Sequence, residues 1–160
     1  MGGICVREDV GGSALGRLDA ALIIEALAGG CPSLAAYISI HNMSASMIDR
    51  YGTDDQRRRW LPGLATMDKL ASYCLTEPSA GSDTAALKTP AMRDGDHYVL
   101  NGKKQFISGA GVSSLYVVMA RTGSGGPKGI STFVIPVDTP GLSFGRTGRK
   151  WAGTLNPLER

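Results

Sequence analysis

The sequence predicts an α+β chain: a helical half up to about residue 69, then an antiparallel β half. Three observations predict it. Before residue 70, apolar residues recur at helical spacing between capping signals. After it, runs rich in β-branched and aromatic residues alternate with tight-turn residues. Within that half, Asn101-Gly102 separates His97–Leu100 from Lys103–Ser108, and Asn-Gly between such runs is the strongest short hairpin signal.

The elements follow in order. Gly11-Gly12-Ser13 reads as a flexible lead-in. Residues 18–28 form a first helix, stopped by Gly29-Gly30. It is apolar almost all round, so it should be buried among helices with Glu25 paired in the core. Pro32 suits the first turn of a second helix running to Tyr51, with Leu34, Ile38, Met43, Met47 and Ile48 as its stripe. Thr53 and Gln56 make a capping box for a third helix, kept short by Pro62. Residues 70–75, 115–121 and 129–137 read as strands flanking the hairpin.

Composition narrows the function classes. At 42% hydrophobic and 19% charged, the chain is globular in character rather than disordered. The net charge of +3 comes from scattered basic residues, so nucleic acid is not indicated. The one run, Arg57-Arg58-Arg59, reads as a solvated helix face. Cys5, Cys31 and Cys74 are odd in number and form no C-x-x-C pair, which suits a reducing compartment. The longest apolar stretch, residues 20–28, is too short to span a bilayer, so no membrane partner is expected. Arg7, Glu8 and Asp9 stand where a signal peptide needs its apolar run. His41 has no second His or Cys at metal spacing and reads as a packed, hydrogen-bonded core residue. Gly123–Pro127 is a loop without P-loop spacing.

Chemistry concentrates in Tyr73-Cys74-Leu75-Thr76-Glu77-Pro78-Ser79-Ala80-Gly81-Ser82-Asp83. A turn of small residues and hydroxyls at a strand end can aim backbone N–H groups at an anion, and Thr76 and Ser82 can both donate and accept. By composition alone, such a turn mostly just joins strands.

Residues 73–83 resemble the L-T-E-P-x-x-G-S-D signature of the acyl-CoA dehydrogenase family. Asn101-Gly102-Lys103-Lys104-Gln105-Phe106-Ile107-Ser108 is similar to that family's N-G-x-K-x-[WF]-I-[ST], and Pro140-Gly141-Leu142 also matches. The resemblance runs from about Gly11 to Lys150. Residues 36–43 and 106–111 resemble the branch that acts on isobutyryl-CoA.

The resemblance implies a partial N-terminal helical domain (1–69), a flavin-binding middle β-barrel or sandwich (70–150) and a divergent tail (151–160), with a C-terminal helical bundle lying outside these residues. It implies FAD as cofactor, lined by Tyr73, Cys74, Leu75, Thr76, Glu77, Pro78, Ser79, Ala80, Gly81 and Ser82 and by Phe106, Ile107 and Ser108. Phe106 would stack on the flavin and Ser108 would approach its N5 edge; on a hairpin strand both would share a face. Ser82 would also meet the acyl-CoA. Glu77 belongs to the signature turn, and the catalytic base is expected in the C-terminal domain, so no catalytic residue is assigned here. Ile40 and Met43 read either as ordinary core or as limits on acyl length. Also implied are an electron-transfer flavoprotein as acceptor, a homotetrameric parent, a role in valine breakdown, and the mitochondrial matrix or a bacterial cytoplasm. An alternative is a non-catalytic module binding FAD, acyl-CoA or a partner chain. Without the remaining helices and a closing strand, apolar faces and a sheet edge should stay open.

Overall fold

The structure, a computed structural model, describes residues 1–145; the expected tail at 151–160 lies outside the described residues. Three helices come first: α1 (Arg17–Gly30), α2 (Pro32–Tyr51) and α3 (Asp54–Thr66). Five strands follow: β1 (Ala71–Cys74), β2 (Ala91–Asp94), β3 (His97–Leu100), β4 (Leu115–Arg121) and β5 (Ile130–Pro136). The α+β expectation holds.

The sheet is mixed rather than wholly antiparallel. Its order is β1-β4-β5, with β4–β5 antiparallel and β1–β4 parallel. Parallel neighbours need a long crossover, and residues 75–114 supply it. β4 is buried on both faces. Leu115, Val117 and Met119 join Val6, Ile48, Leu61 and Leu64 under the helices. Tyr116 and Val118 join Cys74, Ile107 and Ala110 on the opposite face. Strand alternation thus gives one sheet two cores.

The helices depart from expectation in three ways. α1 runs through Gly29-Gly30, ending only at Cys31, and packs against α2 with no buried residue. Leu18 and Leu22 are 73% and 55% exposed, and Glu25 is at the surface rather than in a core. α3 continues through Pro62. The carbonyl that Pro62 leaves unserved belongs to exposed Arg58, where water can reach it. The Thr53–Gln56 capping box is present, with reciprocal bonds of 3.2 and 2.9 Å.

The buried side of α2 carries polar groups that a hydrophobic stripe does not reveal: His41, Asn42, Ser44 and Asp49, alongside Tyr37, Ile38 and Ile48. Each has partners. His41 accepts from the Ala71 amide at Nδ1 (3.1 Å), so its Nε2–H donates to the Leu64 carbonyl (2.9 Å), as a neutral core histidine does. Asp49 accepts from Arg57 Nε and Arg7 Nε, and Arg57 Nη2 also reaches both oxygens of Asp9. Arg57 is therefore buried, not part of a solvated face; Arg58 and Arg59 are exposed. Gly11–Ser13 is also not loose. Gly12 presses on Val6, and the Ser13 amide donates to the Gly3 carbonyl.

Candidate functional site

The signature turn begins where β1 ends. Glu77 and Ala80 exchange both backbone hydrogen bonds, 3.0 and 3.1 Å, closing a tight turn with Pro78 at its second position. Ala80 and Glu77 are buried, Thr76 is half-buried, and Pro78, Ser79, Gly81 and Ser82 are exposed. Among the described residues the amides of Ser79, Gly81 and Ser82 make no hydrogen bond. Gly81 has nothing within 4 Å of where a Cβ would stand. Tyr73 is half-buried among the helix-side core residues, whereas Cys74 faces the opposite core.

Glu77 holds the turn together. Its carboxylate accepts from the amides of Lys88 (2.7 Å) and Thr89 (3.0 Å) and from Lys104 Nζ (2.8 Å). Burial would raise its pKa, but the Lys104 ammonium and the bonds from Thr89 and Lys88 outweigh that and hold it at about 2. A carboxylate so stabilised is a poor proton abstractor. Because its folded pKa lies below the unfolded 4.5, the stabilisation is complete above pH 4.5 and is lost as pH falls from 4.5 towards 2. Asp49 shifts the same way, with its arginines outweighing burial. Acid titration of the melting temperature should therefore fall steeply below pH 4.5, and Glu77→Gln should flatten that limb while lowering stability at pH 7. An unchanged limb would contradict the assignment.

The second motif lies against this turn, but not as a hairpin strand. The hairpin is β2–β3, which turns at Gly95-Asp96 with Asp94 opposite His97 and Gly95 at φ +59°. Residues 101–107 are irregular. Gly102 is required because it presses directly on Thr89, not because it turns a hairpin. Lys104 Nζ donates to the Leu75 carbonyl (3.1 Å) as well as to Glu77, and the Gln105 amide donates to the Thr76 carbonyl (2.8 Å). Four residues from Gln105 towards the C-terminus, Gly109 turns at φ +81°. Between them Phe106 sits at φ +59° and is 59% exposed. Strand alternation therefore cannot place Phe106 and Ser108 on one face. What brings both beside β1 is hydrogen bonding: Ser72 Oγ donates to the Ser108 carbonyl at 2.6 Å. Ile107, between them, is buried in the second core.

Sequence reasoning missed three groups here. Tyr37, Ser72 and Ser113 are buried and hydrogen-bonded in series across α2, β1 and the loop before β4. Each is separated from the next by tens of residues, and no spacing pattern links them. Two hollows stand out among the described residues, and only the second is lined by motif residues. One, of about 890 Å³ between α1 and α2, is lined by Met43 but not by Ile40. The other, of about 940 Å³, covers the outer face of the sheet from Cys74 and Ile107 to Phe144. Among the described residues no cluster of three metal-binding side chains occurs, and no helix is long and apolar enough to cross a membrane.

Comparison with known proteins bears on this arrangement. Residues 1–68 match the N-terminal domain of acyl-CoA dehydrogenases, and residues 72–159 match their middle domain. The chain is 60% identical over 158 residues to the mitochondrial isobutyryl-CoA dehydrogenase of Dictyostelium discoideum, covering 98% of this chain and 38% of that protein. It is 56% identical over 159 residues to the Bos taurus mitochondrial isobutyryl-CoA dehydrogenase, covering 99% and 38%. The solved structure "PigA with FAD and proline" superimposes with a TM-score of 0.93 at 33% identity, over 99% of this chain and 42% of that one. The chain thus spans 38% of the length of both curated relatives.

Proposed function

The chain belongs to the acyl-CoA dehydrogenase family, and we propose that its full-length product is an FAD-dependent dehydrogenase of a short branched acyl-CoA of the isobutyryl-CoA type. Electrons would pass to an electron-transfer flavoprotein. Identity of 56–60% to two isobutyryl-CoA dehydrogenases supports the substrate class. Their mitochondrial location supports the matrix if the source is eukaryotic; a bacterial protein would work in the cytoplasm. A homotetrameric parent is part of the same reading, as is the division at residues 69 and 70.

One observation carries it: Phe106 is exposed and held in a left-handed conformation that a bulky residue rarely adopts, beside a turn with open amides. Such strain is found where a ligand is met. The residues present fit FAD. Phe106 offers a flat apolar face for the ring system. The hydroxyls of Thr76 and Ser108 can donate to or accept from its polar edge. The unbonded amides of Ser79, Gly81 and Ser82 would supply donors for a pyrophosphate, and Ser82 would also meet the acyl-CoA. Of the remaining motif residues, Glu77 and Ala80 close the turn behind these groups, while Tyr73 packs into the helix-side core and Cys74 and Ile107 into the opposite one. The chemistry FAD supplies when bound is two-electron oxidation of the acyl thioester to its α,β-unsaturated form.

Removing the α-proton needs a carboxylate whose pKa is raised towards neutrality. Glu77 is held at about 2 and is engaged by three donors, so it positions rather than abstracts. The base is assigned to the C-terminal domain of the family. The commitment of Glu77 also favours a second reading, in which these residues alone act as a binding module for FAD, acyl-CoA or a partner chain.

The test is to load the protein with FAD, strip free flavin and record the visible spectrum on adding isobutyryl-CoA with an artificial electron acceptor. Full-length protein should retain flavin that bleaches with isobutyryl-CoA more readily than with long straight-chain thioesters. The same experiment on residues 1–160 should show retention without bleaching. Absence of retained flavin in the full-length protein would refute the proposal.

A further inference from the structure

Phe106 stands between two anchors. On its N-terminal side, Lys104 and Gln105 are tied to the carbonyls of Leu75 and Thr76. On its C-terminal side, the Ser108 carbonyl is held by Ser72 Oγ at 2.6 Å. The second anchor has a support of its own. Ser72 Oγ lies 2.8 Å from Ser113 Oγ, and Ser113 Oγ lies 2.9 Å from the Tyr37 hydroxyl. All three side chains are buried, with Ser72 and Ser113 at 0% and 1% exposure. Gly109, at φ +81°, passes so near Tyr37 and Ser113 that no side chain fits there.

A hydroxyl has one proton, whereas a carbonyl can only accept. Ser72 has two acceptors in reach and a single proton. When it serves the Ser108 carbonyl, Ser113 must supply the proton between the two serines, and Tyr37 must supply the proton shared with Ser113. The acceptor-only end therefore orders the whole chain from Tyr37 on α2 to Ser108. Burial raises the Tyr37 pKa, so the phenol keeps the proton it must give. Without that phenol, Ser113 loses its donor, and the Ser72 proton can turn towards Ser113 and away from Ser108.

We propose that Tyr37 is a positioning residue for the flavin-contacting segment, acting through Ser113 and Ser72 on the Ser108 carbonyl. The inference rests on the functional reading above. It assigns to α2 a role in setting the Phe106–Ser108 geometry, beyond packing against β1.

The experiment uses the full-length gene product. FAD dissociation constants, the position of the bound flavin's visible band and melting temperatures are compared for wild type, Tyr37→Phe, Ser113→Ala and the double variant. Thr53→Ala, which removes the α3 cap and touches neither motif through a hydrogen bond, serves as a stability control. Tyr37→Phe should weaken FAD binding about tenfold, the scale of one buried hydrogen bond, and shift the band. Ser113→Ala should do the same, and the double variant should be no weaker than either single one. Thr53→Ala should lower the melting temperature and leave affinity and band alone. Wild-type affinity and band in both single variants, additive losses in the double, or equal changes in Thr53→Ala would overturn the inference while leaving the functional reading intact. A wild-type protein that binds no FAD would overturn both.

Discussion

Lys104→Met is expected to lower stability at pH 7 by about 3–5 kcal/mol, the cost of breaking a buried ion pair from one side. For a domain of this size that corresponds to a fall of roughly 10 °C in melting temperature. The reason lies in what remains. The Glu77 carboxylate, 6% exposed, would keep its two amide donors but lose the Lys104 ammonium, and the Leu75 carbonyl would lose a donor. The deficit should narrow at acid pH, because an unpaired Glu77 takes up a proton more readily. Adding Glu77→Gln should restore part of the loss by removing the stranded charge. FAD retention should fall in the single variant, since the turn and the Phe106 segment would no longer be tied together. Thermal unfolding across pH checks this. A loss below about 1 kcal/mol, the range of exposed pairs, would show that the pair is not buried in solution.

Gly109→Ala should be nearly as damaging, and for a different reason. At φ +81° a Cβ is strained, by about 1–2 kcal/mol. That Cβ would stand 2.5 Å from the Tyr37 hydroxyl oxygen and 2.6 Å from Ser113 Oγ, and such overpacking costs about 1–3 kcal/mol more. To relieve the clash, Tyr37 must move off Ser113, so flavin binding should weaken along with stability. Gly81→Ala is the matched control: it has open space and no left-handed backbone, so it should change stability by less than about 0.5 kcal/mol. Comparable losses in both variants would show that general loop rigidity, rather than the Tyr37 contact, matters at Gly109.

Much of the site was legible because chemistry and local signals coincide there. The capping box at Thr53, Pro32 at a helix start, and the strand at Leu115–Arg121 are local rules, and the structure obeys them. The motif residues of the turn and of the Phe106 segment were named from the sequence, and the fold brings the two segments into contact. The Asn101-Gly102 hairpin failed because two turn signals competed. Gly95-Asp96 also separates two short β runs, and residues 103–107 find their partners in Leu75, Thr76 and Glu77 instead of in a neighbouring strand. The reading of α1 as a core helix failed because an apolar composition all round says that a helix can be buried, not whether anything lies against it.

By itself, the sequence determined the α+β order, the helix starts, the family and the two segments that meet at the site, because each is encoded by neighbours along the chain. Only the tertiary structure decided that β1 runs parallel to β4, that Arg57 is buried against Asp49, that Phe106 lies in a left-handed turn, and that Tyr37 reaches Ser108 through two serines. The serine and tyrosine contacts join groups 36 to 76 residues apart, the Arg57–Asp49 pair joins two different helices, and the rest turn on which of two equally good local signals finds a partner in space. Pairwise contact over such separations is settled by packing and by the need to satisfy every buried polar group, and neither leaves a periodic trace in the chain.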